Sequence, residues 1–300
     1  MSICLTANGN IAVIDTKTHP IISTIQVGLV DDTGITSATN IIVSNDGQFV
    51  YVLNSDNNDM SVIDAKTNAI IATVQVGFVP ISLAISRNDR YVYVSNGGAN
   101  TVSVYDAKTN QVTATLSVGN APSAPSALAV TLDGQYVYVV LFTEAVVAVI
   151  CVKTYQVVAT VPVGMGPSNL AFSSYGQYVY VSNTIESTIT VIDTKMHRAV
   201  STVQVGDFPF SFVITPDGQS IYIANVNGNS VSTIDTRRNQ LIATIPVGTA
   251  PAAVSVTANG RYVYVANANS DTVSVIDTKK NQVVSTIETG TFPFGLAILP

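Results

Sequence analysis

The sequence predicts an all-β protein made of seven similar four-stranded units, and three observations carry that prediction. The composition favours strands, one sequence pattern recurs along the whole chain, and the two chain ends complement each other. Hydrophobic residues make up 47% of the 300 residues, and charged residues only 11%. This apolar content is enough for a large core and argues against a disordered chain.

The recurring pattern is an aspartate that is followed 13 residues later by a glycine. Successive glycines are 42 residues apart in most copies, and a repeat of this length is typical of propellers and solenoids. In the fourth copy, Cys151 takes the place of the aspartate. The aspartates are Asp15, Asp64, Asp106, Asp193, Asp235 and Asp277, and the glycines are Gly28, Gly77, Gly119, Gly164, Gly206, Gly248 and Gly290.

Each copy contains four alternating apolar runs separated by turn residues. In the last complete copy, the predicted strands A, B, C and D span residues 251–257, 261–267, 272–277 and 282–289. Strand B shows the alternation most clearly, as Tyr262-Val-Tyr-Val. Four short strands in about 40 residues are typical of one propeller blade.

The chain ends each carry part of one further blade. A last strand A is predicted at residues 293–299, and strands B, C and D are predicted at residues 3–8, 11–15 and 21–28. Together they complete a mixed blade, which removes the exposed edges of an open sheet. The sequence therefore predicts a seven-bladed β-propeller with four antiparallel strands per blade, formed by residues 1–300 as a single domain.

Five of the predicted B strands end in a similar motif. The segments are Tyr93-Val-Ser-Asn96, Tyr180-Val-Ser-Asn183 and Tyr264-Val-Ala-Asn267, with Tyr222-Ile-Ala-Asn225 and Tyr51-Val-Leu-Asn54 as variants. They resemble the Tyr-Val-Thr-Asn motif of the YVTN β-propeller repeat family over essentially the whole chain. The resemblance implies the fold but no single activity, because relatives include archaeal surface-layer proteins, the haem-carrying propeller of certain nitrite reductases and quinoprotein dehydrogenase subunits.

The residues do not support carrying over a cofactor from these relatives. The two histidines, His19 and His197, both fall in predicted C–D turns, away from any central pocket. The Glu, Arg and His set of lactonase-type propellers is not visible either. We therefore predict no cofactor and no metal site of the catalytic type.

The motif residues are predicted to be structural. The alternating Tyr and Val side chains pack between blades, and the motif Asn satisfies backbone groups of a loop. The strand-C Asp forms an Asx turn ahead of the following Lys. One blade has Leu141 and Cys151 in place of the Asn and the Asp, and we find no functional reason for either.

Charges are unevenly distributed between the two ends of the predicted blades. All 13 Lys and Arg residues fall in or next to A–B and C–D turns, where ten acidic residues leave a small positive excess. The other end, predicted to surround the central mouth, has acids only, and such a funnel concentrates cationic ligands. The alternative is that these acids only keep that face soluble. They are Asp31, Asp32, Asp56, Asp59, Glu144, Glu186, Asp207, Asp271 and Glu288.

The acidic end is also predicted to carry aromatic residues around the mouth. Ring faces beside carboxylates suit an organic cation, whereas the alternative is that these side chains only plug the channel. Two near-identical runs stand out, Asp207-Phe-Pro-Phe210 and Thr291-Phe-Pro-Phe294. The candidate ligand-binding residues are Phe78, Phe142, Met165, Phe208, Phe210, Phe292, Phe294 and Asn169.

Two insertions and one polar run lie at the same end. Residues 29–37 lengthen a D–A loop, contain Asp31 and Asp32, and could act as a lid; residues 120–124 add a shorter insertion. The run from Asn54 to Asp59 is rich in oxygen ligands for a cation such as calcium, but it lacks the spacing of an EF-hand.

Three functions remain open from the sequence. The first is a non-catalytic module that binds a cationic or amphipathic small molecule, a peptide or a protein partner at the acidic mouth. The second is a cofactor-independent lyase, cyclase, isomerase or condensation enzyme that uses a carboxylate as general acid or base. Its candidates are Asp207, Glu144, Glu186, Asp31 and Asp32. The third is a surface-layer or adhesion protein, by resemblance only.

The remaining expectations concern partners and compartment. The net charge of −6 argues against nucleic acid as a partner, and no apolar run is long enough for a membrane helix. No signal peptide is visible, so a cytoplasmic monomer is expected; the alternative is an exported protein whose leader has been removed.

Overall fold

The computed structural model describes residues 2–5, 10–14, 21–27, 38–289 and 292–293. Within them the chain forms seven antiparallel sheets, of which six have four strands and one has three. Every four-stranded sheet is a simple meander in chain order. The architecture is the predicted all-β, seven-bladed β-propeller class.

The strands of the sheets fall into four sets, A to D, by their order within a blade. The A strands are β4 (Ala38–Val43), β8 (Pro80–Ile85), β12 (Pro125–Val130), β16 (Pro167–Phe172), β20 (Pro209–Ile214) and β24 (Pro251–Val256). The B strands are β1 (Ser2–Leu5), β5 (Phe49–Asn54), β9 (Tyr91–Asn96), β13 (Tyr136–Leu141), β17 (Tyr178–Asn183), β21 (Ser220–Asn225) and β25 (Tyr262–Asn267).

The outer half of each blade consists of strands C and D. The C strands are β2 (Asn10–Ile14), β6 (Asp59–Asp64), β10 (Thr101–Asp106), β14 (Val146–Cys151), β18 (Thr188–Asp193), β22 (Ser230–Asp235) and β26 (Thr272–Asp277). The D strands are β3 (Ile21–Gln26), β7 (Ala69–Gln75), β11 (Gln111–Ser117), β15 (Gln156–Pro162), β19 (Arg198–Gln204), β23 (Gln240–Pro246) and β27 (Gln282–Glu288). A 3-10 turn at Ala268–Ser270 is part of one B–C loop.

The predicted strand bounds agree with those observed to within one residue in the blade β24–β27. At the N-terminus, β1–β3 form the predicted B, C and D strands of an incomplete sheet. The strand A that would complete this sheet was predicted at residues 293–299, and residues 294–299 lie outside the described residues. The mixed blade therefore stays a prediction.

The chain divides into two compact units, Met1–Thr160 and Val161–Pro300. In both units, strands B and C are almost fully buried, whereas most positions of the D strands are exposed or half-buried. Tyr93 packs in the core of the first unit together with Val104 and Val137, and Tyr180 packs in the second with Ile221 and Ile234. The predicted packing role of the motif tyrosines is thus observed.

The motif Asn explains the recurring Gly at the end of strand D. The buried Asn225 donates hydrogen bonds from Nδ2 to the hydroxyls of Ser230 and Ser232, each at 3.0 Å. A Cβ on Gly206 would lie only 2.5 Å from this Nδ2. The Asn side chain and the strand-D backbone therefore occupy adjoining space, and any side chain larger than Gly would displace the amide. In the blade β8–β11, the Asn96 carbonyl also accepts the Gly77 N–H, as predicted.

The strand-C Asp forms the predicted Asx turn. Asp193 Oδ1 accepts the backbone N–H groups of Lys195 and Met196 at 2.9 and 2.8 Å. Asp64, Asp235 and Asp277 accept equivalent bonds in their own blades. These carboxylates are turn locks and do not form a metal site.

Candidate functional site

Each blade has two ends with different loops. Strand pairing brings Pro209, Asn225, Ser230 and Pro246 to the same end of the sheet β20–β23. We call this the upper end: it carries the B–C loop and both D–A connections. The lower end carries the A–B and C–D turns.

The second unit has opposite charges at its two ends. Its upper-end residues include Glu186, Asp207, Asp271 and Glu288 and, among the described residues, no cation. Its lower end has seven cations against four aspartates. The cations are Lys195, Arg198, Arg237, Arg238, Arg261, Lys279 and Lys280, and the aspartates are Asp193, Asp217, Asp235 and Asp277.

The first unit is less polarised. In its described part, five lower-end cations are balanced by five aspartates, and Asp56, Asp59 and Glu144 lie at the upper end. The cations are Lys66, Arg87, Arg90, Lys108 and Lys153, and the aspartates are Asp46, Asp64, Asp89, Asp106 and Asp133. Among the described residues, the second unit therefore separates its charges more completely, with an acidic upper end and a basic lower end.

The D–A connections have one backbone conformation in common. From β8 to β24, each A strand is preceded by a residue with a positive φ. Examples are Val79 (φ 52°) and Phe208 (φ 58°). An Asx side chain from the B–C loop of the preceding blade holds most of these residues: Asn58 Oδ1 accepts the Val79 N–H at 2.7 Å, and Asp271 Oδ1 accepts the Phe292 N–H at 2.8 Å. These bonds stabilise a conformation that is unfavourable for non-glycine residues.

Two of the predicted catalytic carboxylates lie against the same connections. Glu144 Oε1 accepts the Asn120 N–H at 2.6 Å. The Glu186 carboxylate lies over Gly164, where an added Cβ would be 2.6 Å from Oε2. In the last complete blade, the Ser270 hydroxyl has the place of these glutamates and accepts the Thr249 N–H at 3.0 Å. Glu144 therefore stabilises its loop, a role that the sequence pattern did not reveal.

The third described candidate, Asp207, is exposed, and the Ser187 hydroxyl donates to its Oδ1 at 3.4 Å. Asp31 and Asp32 lie outside the described residues, as does the predicted lid. None of the three described carboxylates is buried. Acid–base catalysis stays a prediction, without the desolvated carboxyl that would support it.

The predicted aromatic residues are mostly accessible. Phe292 is 60% exposed and Phe210 is 42% exposed, whereas Phe208 is half-buried. Met165, Phe78 and Phe142 are also exposed, and Phe294 lies outside the described residues. Asn169 is half-buried, and its Oδ1 accepts the Leu170 N–H at a bulge of β16. The structure thus places Met165, Phe208, Phe210 and Phe292 at the upper end of the second unit.

The proposed calcium ligands are otherwise engaged. Asp59 is buried, and its Oδ1 accepts a 2.6 Å hydrogen bond from Asn54 Nδ2. Asn58 holds Val79. In the part of the chain that the structure describes, no group of three or more His, Cys, Asp or Glu side chains is placed to hold a metal ion.

The structure also has cavities at the lower end that the sequence reasoning did not anticipate. In the second unit, one of about 640 Å³ lies between the blades β16–β19 and β20–β23, and one of about 720 Å³ between β20–β23 and β24–β27. We call them the Tyr180 cavity and the Tyr222 cavity, after the strand-B tyrosine that lines each. The sequence contained a signal for the first: Tyr175 stands where the other described A–B turns have Asp or Asn.

Two family models match parts of the chain. Residues 1–131 match the cytochrome D1 heme domain, and residues 142–241 match the lactonase, 7-bladed beta-propeller. These matches and the seven sheets identify the chain as a β-propeller protein. No curated protein sequence matches it significantly.

Several solved structures have the same fold. Hydrazine synthase of Kuenenia stuttgartiensis is 20% identical with a TM-score of 0.71, and the match covers 89% of this chain and 92% of that one. Dihydro-heme d1 dehydrogenase NirN in complex with DHE is 16% identical with a TM-score of 0.82; the match covers 96% of this chain and 63% of that one. A functionally unknown protein from Desulfotomaculum acetoxidans DSM 771 is 14% identical with a TM-score of 0.76, covering 97% of both chains.

Among the described residues, the upper ends carry no histidine for the haem that two of these names mention. The only described histidine is His197, in the lower-end turn between β18 and β19, where burial lowers its pKa. The described upper ends thus offer no histidine as an axial ligand, and we derive no step through haem. Among the described residues, no helix has the length and apolarity needed to cross a bilayer.

Proposed function

We propose that the protein is a ligand- or partner-binding propeller and that the upper end of its second unit binds a cationic, partly apolar molecule, either a small molecule or a peptide. One observation carries the proposal: this end combines four acidic side chains with exposed Met165, Phe210 and Phe292 and, among the described residues, no cation.

The chemistry of these groups suits such a ligand. A ring face attracts an ammonium or guanidinium group, and nearby carboxylates raise its local concentration. Phe210 lies in the β-bulge between Pro209 and Phe212 at the start of β20, and 42% of its surface is exposed. Bulges of this kind redirect side chains and are frequent beside binding sites.

The test uses benzyltrimethylammonium, which has one aromatic ring and one fixed positive charge. We expect millimolar binding in a calorimetric or NMR titration of the full chain, weakening as salt is added. Phe210→Ala should weaken binding about fivefold, because about 1 kcal/mol of ring contact is lost. The double variant Asp207→Asn with Glu186→Gln should weaken it and flatten its salt dependence.

The matched control is Asp193→Asn, which removes one negative charge from the lower end while keeping an oxygen acceptor for the Asx turn. This variant should bind the probe as the unmodified chain does. The proposal is wrong if Phe210→Ala and the double variant both bind the probe as tightly as the unmodified chain. It is also wrong if Asp193→Asn loses as much affinity as the upper-end variants.

We also propose that the repeat is of the YVTN type. The described motif residues support this assignment: Tyr93 and Asn96 are buried, and the Asn96 side chain joins strands B and C of its blade to the preceding D–A connection. Replacing Asn96 with Asp tests the assignment, because a carboxylate cannot donate to Thr101 and Ser103. Unfolding at clearly lower temperature is expected, and an unchanged midpoint would contradict a repeat held by this motif.

A further inference from the structure

The lower-end Tyr180 cavity differs from the repeat at its mouth. In the other described A–B turns, an Asp or Asn accepts a hydroxyl and a backbone N–H; Asp217 Oδ1, for example, accepts the Thr215 hydroxyl at 2.6 Å and the Gln219 N–H at 3.0 Å. Asp46, Asn88, Asp133 and Asn259 make the same pair of bonds. Tyr175 occupies this place and has no carboxylate or amide to lock the turn.

Tyr175 is also the most exposed large hydrophobic residue of the described chain, with 89% of its surface accessible. An aromatic ring in this position is unfavourable in two ways: the turn loses its lock, and apolar surface stays in water. Its ring stands at the rim of the cavity. This arrangement is typical of a binding platform and does not help the fold.

Tyr180, which lines the same cavity, shows a second departure from the repeat. In the next blade, the Tyr222 hydroxyl donates to Asn281 Oδ1 at 2.6 Å. The equivalent groups are the Tyr180 hydroxyl and Asn239 Oδ1, and both are buried without a hydrogen-bond partner in the described structure. Tyr180 is 0% exposed and lines the cavity. Leaving such buried groups unpaired is unfavourable unless a ligand or water supplies the bond.

The remaining lining of the cavity is polar and electrically balanced. It includes one cation, Arg237, and one anion, Asp217, together with the amides of Gln177 and Gln219. Donors and acceptors are therefore both present, without the net charge that would select an ion. The volume of about 640 Å³ is that of a small-molecule site.

We propose that the Tyr180 cavity binds a neutral polyhydroxylated ligand of the sugar class, with Tyr175 stacking on its ring and the Tyr180 hydroxyl bonding one of its hydroxyl groups. A sugar hydroxyl both donates and accepts, which matches the mixed lining. The C–H face of a pyranose ring packs on the negative face of an aromatic ring. This site is separate from the upper-end site and does not depend on it.

The experiment titrates the full chain with glucose, galactose, mannose and N-acetylglucosamine, and separately with acetate and phosphate, followed by NMR. We expect at least one sugar to saturate the site with a Kd of about 1 mM or tighter. Tyr175→Ala should weaken binding about tenfold, and Tyr180→Phe about three- to tenfold, the value of one hydrogen bond. Tyr222→Phe is the matched control and should leave sugar affinity unchanged.

The decisive variant is Tyr175→Asp, which restores the residue type of the other turns. It should abolish sugar binding while raising the unfolding temperature by about 2 °C, because the turn lock is regained. The proposal is wrong if none of the four sugars saturates the site. It is also wrong if acetate or phosphate binds more tightly than every sugar, or if Tyr175→Ala and Tyr180→Phe both bind sugar within twofold of the unmodified chain. None of these outcomes bears on the proposed binding of benzyltrimethylammonium at the upper end, because the two sites are separate.

Discussion

The Tyr180 cavity and the Tyr222 cavity are neighbours built from the same repeat, yet they differ in how completely their polar groups are paired. Around Tyr222, the hydroxyl donates to Asn281 Oδ1, and Asp217 locks the A–B turn of the same blade. Around Tyr180, the hydroxyl and Asn239 Oδ1 are unpaired, and Tyr175 replaces the lock. Because the blades are repeats, equivalent positions can be compared directly. A polar group that is paired in one blade and unpaired in the next marks a position that is not optimised for stability.

The largest expected effect tests whether the motif Asn stabilises the two blades equally, away from the two cavities. Asn183 and Asn225 are both fully buried and donate to two hydroxyls each. Replacing either with Ala should lower the free energy of unfolding by about 2 kcal/mol, because a cavity forms and hydroxyls lose their partner. Chemical denaturation of the two variants measures this. Costs that differ by more than about 1 kcal/mol would show that the blades differ throughout.

The next effect separates the two tyrosines directly. Tyr222→Phe should cost about 1–2 kcal/mol, since it leaves the half-buried Asn281 Oδ1 without its donor. Tyr180→Phe should cost nothing or stabilise slightly, because the removed hydroxyl is buried and has no partner in the described structure. Equal losses in the two variants, measured without added ligand, would contradict the comparison.

A smaller effect concerns the Asp217 lock and its pH dependence. The hydrogen bond from the Thr215 hydroxyl lowers the pKa of Asp217 below its usual value, so the carboxylate stabilises the fold above about pH 4 and loses this effect as pH falls further. Asp217→Asn keeps an oxygen acceptor, as Asn259 does, and removes the titration. The variant should be as stable as the unmodified chain at about pH 7, and it should lose less stability between about pH 5 and about pH 3. Parallel pH profiles would argue against this lock.

The smallest effect extends the comparison to the blade that has Cys151 instead of Asp. Hydrogen bonds from the Thr154 hydroxyl and N–H lower the pKa of the Cys151 thiol. Cys151→Asp should raise the unfolding temperature slightly, because a carboxylate is the better acceptor in this turn. The reciprocal variant Asp193→Cys should lower it. A decrease in the first variant would indicate that Cys151 is adapted to its blade.

Much of the fold could be predicted from the sequence, because alternation, turn residues and the 42-residue period are local signals. The strand bounds in β24–β27 and the Asx turns at Asp193 and Asp277 are confirmed. The charge segregation also followed from chain order, since each turn belongs to a known end of its sheet.

The details of the site could not be predicted in the same way. Glu144 looked like a free carboxylate because its acceptor role depends on the Asn120 N–H, 24 residues away. The unpaired Tyr180 hydroxyl depends on a turn in the next blade, which no local pattern reports. Tyr175, by contrast, was visible in the sequence: aligning the A–B turns shows it as the aromatic exception among Asp and Asn residues.

The positive-φ residues of the D–A connections have a consequence for redesign. Val79, Ala124 and Ala250 share one backbone conformation, and in each case an Asn side chain of the preceding blade accepts the backbone N–H. Randomising these positions should therefore yield combinatorial libraries whose members keep the same main-chain path, with new specificities introduced by single-codon changes.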